Sequence, residues 1–192
     1  CGEGGAVSFN SPRLSRKLRR LRLHGVTKTS SDREQEGYSH WDMPEFGWKY
    51  NMDNIHAAIL LAQMEKFPAA IRHRQACGKL YTHMLKKVPR LELFEEEKDG
   101  THARHLMPVL VPRGSRDRIV RHLQAKGVQA MVNYRPVHRL SFFRRQAAYK
   151  SLSFPNAEEI GDRVISLPFY PGMTKATITQ VCQRLSRILE QS

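Results

Sequence analysis

The chain has 192 residues, of which 40% are hydrophobic, and carries 32 lysine and arginine side chains against 18 acidic ones, for a net charge of +14. That supplies enough apolar material for one large core or two small ones, while the lack of any run of about 18 apolar residues excludes a transmembrane helix. Cys1, Cys77 and Cys182, odd in number and far apart, exclude a disulfide framework and fit a reducing cytosol. The surplus of cations should attract polyanions, among them nucleic acid, anionic lipid, a phosphorylated cofactor or a sugar nucleotide, and charge alone does not choose among them.

The first residues, Cys1-Gly2-Glu3-Gly4-Gly5, permit positive φ and a tight turn, and Ala6 to Phe9 reads as a short strand. Ser11-Pro12 is a helix start, with Ser11 as N-cap and Pro12 at the first helical position. Leu14, Leu18 and Leu21 recur at helical spacing, and Gly25 closes the element. The opposite face carries Arg13, Arg16, Lys17, Arg19, Arg20 and Arg22, either a solvated basic face or a docking surface for nucleic acid or acidic membrane. Residues 26–46 are polar and turn-rich and read as a loop of the length often used as a lid.

Asp53 caps a helix whose stripe is Ile55, Ala58, Ile59 and Ala62, and Pro68 is expected to break or restart it. A second helix follows over residues 69–87, using Ile71, Leu80, Tyr81, Met84 and Leu85. Glu95 to Gly100 is a charged turn, placed as the boundary between a domain over residues 1–90 and another over residues 91–192. Beyond it strand and helix alternate. His105 to Val111 is a strand candidate, Ser115 caps a helix with Ile119, Val120 and Leu123 that stops at Gly127, and Val128 to Tyr134 is strand-like. A short helix covers Phe142 to Tyr149, another runs from Pro155 to about Val164, and Ile165-Ser166-Leu167 is a buried strand before the Tyr170-Pro171-Gly172 turn. Thr174 caps the last helix, in which Ile178, Val181, Cys182, Leu185, Ile188 and Leu189 follow the i, i+3, i+4, i+7 pattern.

Two stretches offer chemistry. Gly47-Trp48-Lys49-Tyr50-Asn51-Met52-Asp53 leads into a helix N-terminus, where free amides and the positive dipole end suit a phosphate; Lys49 adds a charge and Asn51 an amide donor. The same residues also serve as an ordinary helix entry with Trp48 and Met52 packing. Asn133-Tyr134-Arg135-Pro136-Val137-His138 leaves a strand for a loop. There Arg135 can clamp a carboxylate or phosphate with two N–H groups, while Tyr134 and His138 can hydrogen-bond or move protons. A turn fixed by Pro136 with solvated side chains also accounts for it, and a lone His is more often structural than catalytic. His73 with Cys77 and His102 with His105 are pairs of metal-ligand types, and nothing in their spacing makes them converge, so no metal is expected. No Gly-x-Ser-x-Gly elbow supports a hydrolase.

In this order, joined by the glycine-rich start, Leu23-His24-Gly25, Gln63-Met64-Glu65-Lys66, Ser153-Phe154-Pro155-Asn156-Ala157-Glu158 and Ser166-Leu167-Pro168-Phe169-Tyr170-Pro171, these stretches resemble the DegT/StrS-type sugar aminotransferases. The resemblance runs from Cys1 to about Leu189. Its wording is most similar to the branch that aminates nucleotide-linked 4-keto-pentoses for lipid A modification. It implies an α/β chain forming the C-terminal part of a fold-type-I enzyme dependent on pyridoxal 5'-phosphate. Residues 1–90 would finish the large cofactor domain, and residues 91–192 would form a small α/β domain with a short, mainly antiparallel sheet and flanking helices. Glutamate is the implied amino donor and a nucleotide-linked keto sugar the acceptor. The enzyme would be a cytoplasmic homodimer with shared active sites, making polysaccharide or lipopolysaccharide precursors, with no nucleic-acid or membrane partner.

The Schiff-base lysine of the family lies a few residues before the glycine-rich turn, so it is expected just before Cys1, and the 192 residues alone are expected to be inactive. The start at Cys1 fits a boundary within a longer chain. By position, Lys49 and Asn51 would reach the cofactor phosphate of the neighbouring subunit, and Tyr134, Arg135 and His138 would line the sugar pocket. Lys49 stands where many relatives have Asn, and Asn133 where many have His. The rival class is a non-enzymatic basic module binding nucleic acid or other polyanions, with salt-sensitive affinity.

Overall fold

A computed structural model describes residues 2–28, 32, 34–35, 40–95 and 99–191. The chain forms two compact units, Cys1–Lys66 and Phe67–Ser192.

In the first unit, helix α1 spans Pro12–Leu21. Ser11 Oγ accepts from the Leu14 amide at 3.3 Å, and Pro12 sits in the first turn where no N–H is needed. The chain then turns through His24 (φ 55) and Gly25 (φ 77), whose amide bonds to Arg20 O at 2.9 Å. Ala6 to Phe9, expected as a strand, is not one: no described residue pairs with it, and a strand without a neighbour has no ladder. Within residues 26–46 the loop reading also needs correction, since Asp32, Glu34 and Gln35 have helical backbone; residues 29–31, 33 and 36–39 lie outside the described ones. Thr27 and Asp42 fasten the two ends, Thr27 N–H to Asp42 O at 2.9 Å and Asp42 N–H to Thr27 Oγ1 at 3.0 Å.

Helix α2 runs unbroken over Asn54–Leu85, with Pro68 inside it. The expected break is absent because residues 61–69 are exposed, so the Met64 carbonyl, deprived of its i+4 donor by the proline ring, can turn to water while the flanking turns keep their bonds. The Ile55, Ala58, Ile59, Ala62 stripe is exposed, Ile55 by 75%.

In the second unit, three strands, β1 (Glu92–Leu93), β2 (Met107–Leu110) and β3 (Val164–Leu167), form an antiparallel sheet in the order β1-β2-β3. Val109 stands opposite Leu93 on one side and Ile165 on the other. Helix α3 (Arg116–Ala125) gives Ile119 and Leu123 to the core, and helix α7 (Lys175–Glu190) buries all six residues of its expected stripe. Tyr81 and Leu85, from the C-terminal half of α2, are fully buried with them. The Tyr81 hydroxyl donates to Pro168 O at 2.9 Å, and burial raises its pKa. Buried Arg163 donates to Val111 O at 2.8 Å and pairs with Glu92 and Glu159, so its charge is compensated.

Ser115 precedes α3 but does not cap it with its side chain, because Oγ donates to Pro112 O at 2.6 Å instead. Val128 to Tyr134 makes only one bridge, Met131 to Ser166, before the chain is drawn off by Pro136 packing on Gly161. The helix over 142–149 is two, α4 (Ser141–Arg145) and α5 (Ala147–Lys150), separated by extended Gln146. Helix α6 (Pro155–Arg163), β3 and the Gly172 turn (φ 85) lie as expected.

Candidate cofactor and substrate sites

Residues 45–50 lie along the end of α1 in an extended course. The Trp48 amide donates to Leu21 O (2.7 Å), the His24 amide to Trp48 O (2.9 Å) and the Tyr50 amide to Arg22 O (2.8 Å), and Leu23 bridges Lys49. Two glycines permit the contact: a Cβ on Gly47 would stand 2.2 Å from Gly25 N, and one on Gly25 would stand 1.9 Å from Glu45 O. The salt bridge Arg20–Glu45 (2.8 Å) closes the same junction. Side chains alternate along an extended segment, and the rings of Phe46, Trp48 and Tyr50 meet in sequence, edge-on at 5.6 Å and stacked at 6.0 Å. Lys49, between Trp48 and Tyr50, falls outside that aromatic row. It is exposed, as is Asn51.

The second and third amides of α2 are taken: Asp53 Oδ1 accepts from both Ile55 and His56 at 3.0 Å, and Oδ2 lies 2.5 Å from His56 Nδ1. The amide bond from His56, foremost, holds the Asp53 carboxyl below the usual carboxylate range. An anion at this segment would therefore meet the Lys49 ammonium and the Asn51 amide rather than the helix end.

In the second unit, Val137–Arg139 form a single 3-10 turn after Pro136. The Pro136 ring fits where Gly161 has no side chain, a Cβ there standing 2.3 Å from Pro136 Cδ, and Arg116 donates to Gly161 O. Tyr134 is 70% exposed, and Arg135 is exposed too. His138 differs. Its Nε2 lies 2.9 Å from Glu158 Oε1 and its ring 4.9 Å from that of Phe154. Glu158 Oε1 also accepts the Phe154 amide (3.2 Å), and Oε2 accepts from Arg139 (2.7 Å), whose other nitrogen reaches both oxygens of Asp162 at 2.7 and 2.8 Å. In the sequence Glu158 stands out only as part of the Ser153–Glu158 stretch, and Asp162 does not stand out at all. The available signal was an acid one turn after Phe154-Pro155, placed to reach back to the helix start.

The Glu158 carboxyl is held down at about 2 by the Phe154 amide first, then Arg139 and His138. A folded-state pKa below the ordinary 4.5 stabilises the native state fully above that pH, and the contribution disappears as pH falls toward about 2. The stability difference between wild type and Glu158→Gln should accordingly shrink between about pH 4.5 and 2. Urea titrations across that window check it; a difference that stays constant contradicts the pairing.

Elsewhere in this unit, Arg74 donates to the carbonyls of Arg104 and His105 and lies 4.8 Å above the Phe169 ring. Cys77 Sγ lies 3.4 Å from His73 Nε2, and burial, partly offset by Arg74, raises the thiol pKa. Among the described residues no three His, Cys, Asp or Glu side chains gather as a metal site, and no helix is long and apolar enough to cross a membrane.

Comparison with known proteins then decides the lineage. Residues 1–186 match the sequence pattern of the DegT/DnrJ/EryC1/StrS aminotransferase family. The chain belongs to that family. An uncharacterized protein of Methanocaldococcus jannaschii is 31% identical over all of this DegT-family chain and 51% of its own length. Among solved structures, Helicobacter pylori PseC, an aminotransferase involved in the biosynthesis of pseudoaminic acid, superposes with a TM-score of 0.79 at 19% identity, over 95% of this chain and 48% of PseC. DesV of S. venezuelae, solved with a ketimine intermediate, superposes with a TM-score of 0.79 at 26% identity, over 95% of this chain and 46% of DesV. The DegT-family chain thus spans about half the length of the relatives it matches. Its helices and three-stranded antiparallel sheet are those of fold-type-I aminotransferases.

Proposed function

We propose that the protein transfers an amino group from glutamate to a nucleotide-linked keto sugar with pyridoxal 5'-phosphate, as a cytoplasmic homodimer, in polysaccharide or lipopolysaccharide biosynthesis. The family match over residues 1–186 carries this reading. The 4-keto-pentose branch is the acceptor class its wording favours. Residues 1–90 belong, on this reading, to the large domain and residues 91–192 to the small one.

The donor set fits a phosphorylated cofactor: Lys49 and Asn51 are exposed and two residues apart, on and just after a segment tied to residues 21–24 by three backbone hydrogen bonds. A lysine ammonium pairs with phosphate as a point charge and an amide N–H adds direction. Lys49 and Asn51 would hold the cofactor phosphate of the neighbouring subunit, giving the shared active site of a homodimer. When bound, the cofactor supplies the electron sink through which the amino group passes from donor to acceptor.

Arg135 and Tyr134 are exposed donors suited to the diphosphate and sugar of the acceptor. His138 is held by Glu158 and lies ready to orient the sugar. No lysine of residues 1–192 stands in the motif of the anchoring lysine, and the polypeptide of residues 1–192 alone is expected to give no turnover, because a misplaced amine lacks the geometry the chemistry needs. The test is movement of ¹⁵N from labelled glutamate to a nucleotide-linked 4-keto-pentose by the holoenzyme. Label that stays on glutamate despite bound cofactor refutes the reading.

A further inference from the structure

The contacts around the 136–139 turn assign a role that the family match does not. We propose that Glu158 is a positioning residue that fixes the tautomer of His138, so that Nδ1 is presented as a hydrogen-bond acceptor to a hydroxyl group of the ligand. The choice of ligand rests on the reading that this loop faces a sugar; the tautomer itself does not.

Glu158 is committed as an acceptor at both oxygens. Oε1 takes the Phe154 amide at 3.2 Å and Oε2 takes Arg139 at 2.7 Å, while Arg139 is itself held by Asp162. Two donors from other groups, one of them cationic, favour the ionised carboxylate. A carboxylate has no proton to donate, so the proton in the 2.9 Å contact with His138 belongs to Nε2. In the neutral imidazole the other nitrogen, Nδ1, is then a lone-pair acceptor.

Nδ1 has no hydrogen-bond partner among the described residues. It is not sealed either, because the only buried side-chain polar atom left without a partner among them is Ser166 Oγ. The His138 side chain is only 14% exposed and the Phe154 ring lies 4.9 Å away, so the imidazole is held while Nδ1 is not fully buried. An acceptor there discriminates by chemistry: a hydroxyl can donate to it, and a fully ionised phosphate oxygen cannot. Arg135, exposed three residues earlier, supplies the complementary preference for anions. The loop therefore separates the two ends of a glycosyl nucleotide: a hydroxyl at His138 and a charged group at Arg135.

The experiment is long-range ¹H–¹⁵N spectroscopy of the histidine side chains in the intact protein, in mildly alkaline buffer, with His138 assigned by the loss of its signals in His138→Gln. The expected result is a single tautomer with the proton on Nε2. A proton on Nδ1, or an even mixture, in the wild type overturns the proposal, and this readout requires no variant to fold and no activity. In Glu158→Gln the side chain can donate as well as accept, and the tautomer should become mixed or inverted; an unchanged Nε2–H tautomer in a folded variant overturns the role of Glu158. If the holoenzyme aminates a keto sugar, Glu158→Gln should raise KM for that sugar about tenfold, with less change in kcat, the loss of one well-placed hydrogen bond. An Nε2–H tautomer in a protein that transfers no amino group would support the positioning while refuting the activity.

Discussion

Alanine at position 47 should lower the stability of the first unit by on the order of 3 kcal/mol and detach the 45–50 segment from α1. The new Cβ would stand 2.2 Å from Gly25 N, 2.6 Å from His24 C and 2.8 Å from Leu21 O. All three are backbone atoms, so no rotamer change relieves the overlap, and the segment itself must move. Movement breaks the Trp48–Leu21, His24–Trp48 and Tyr50–Arg22 backbone hydrogen bonds, each worth about 1 kcal/mol net. Gly25→Ala should act the same way, with the further cost of an L side chain at φ 77 and a carbonyl 1.9 Å from its Cβ. Denaturant titration and the affinity for pyridoxal phosphate should both fall, since Lys49 rides on the displaced segment. A Gly47→Ala protein as stable as wild type would mean that this packing does not form.

Replacing Lys49 and Asn51 together by alanine should weaken pyridoxal phosphate binding about a hundredfold to a thousandfold and leave stability almost unchanged. The side chains are exposed, so the surface substitutions should shift stability by less than about 0.5 kcal/mol. On the ligand side, a hydrogen bond to a charged group contributes about 1.5–3 kcal/mol and a neutral donor about 1, which together amount to about two to three decades in Kd. The contrast with Gly47→Ala separates the two roles: one substitution removes the scaffold and the other removes only the donors. Equilibrium titration of the cofactor by absorbance checks the expectation, and unchanged affinity refutes the phosphate assignment.

Legibility in the sequence followed the range over which each signal acts. Helix α7 was readable because its cap, Thr174, and its six core residues lie in one periodic run. Asp53 and Ser11 were readable as caps for the same local reason. Pro68 misled because its penalty is local while its tolerance depends on solvent at the freed carbonyl, which no sequence window shows. Ala6 to Phe9 and Val128 to Tyr134 had strand-like composition, but a strand exists only where a neighbour pairs, and that is a tertiary fact.

The candidate sites divide in the same way. Lys49, Asn51, Tyr134, Arg135 and His138 could be named from motif wording, yet the pairing of Lys49 with Leu23 and of His138 with Glu158 spans 26 and 20 residues respectively and left no periodic trace. What the fold adds is restraint. It assigns the α2 terminus to Asp53, and it commits one nitrogen of His138, so that fewer groups remain to meet a ligand.

The most direct measurement is transfer of ¹⁵N from labelled glutamate to a nucleotide-linked 4-keto-pentose, followed by mass spectrometry of the sugar product. The account predicts label on the amino sugar with the holoenzyme and none with a polypeptide restricted to residues 1–192. Label remaining on glutamate in a cofactor-loaded enzyme, or turnover by residues 1–192 alone, would contradict it.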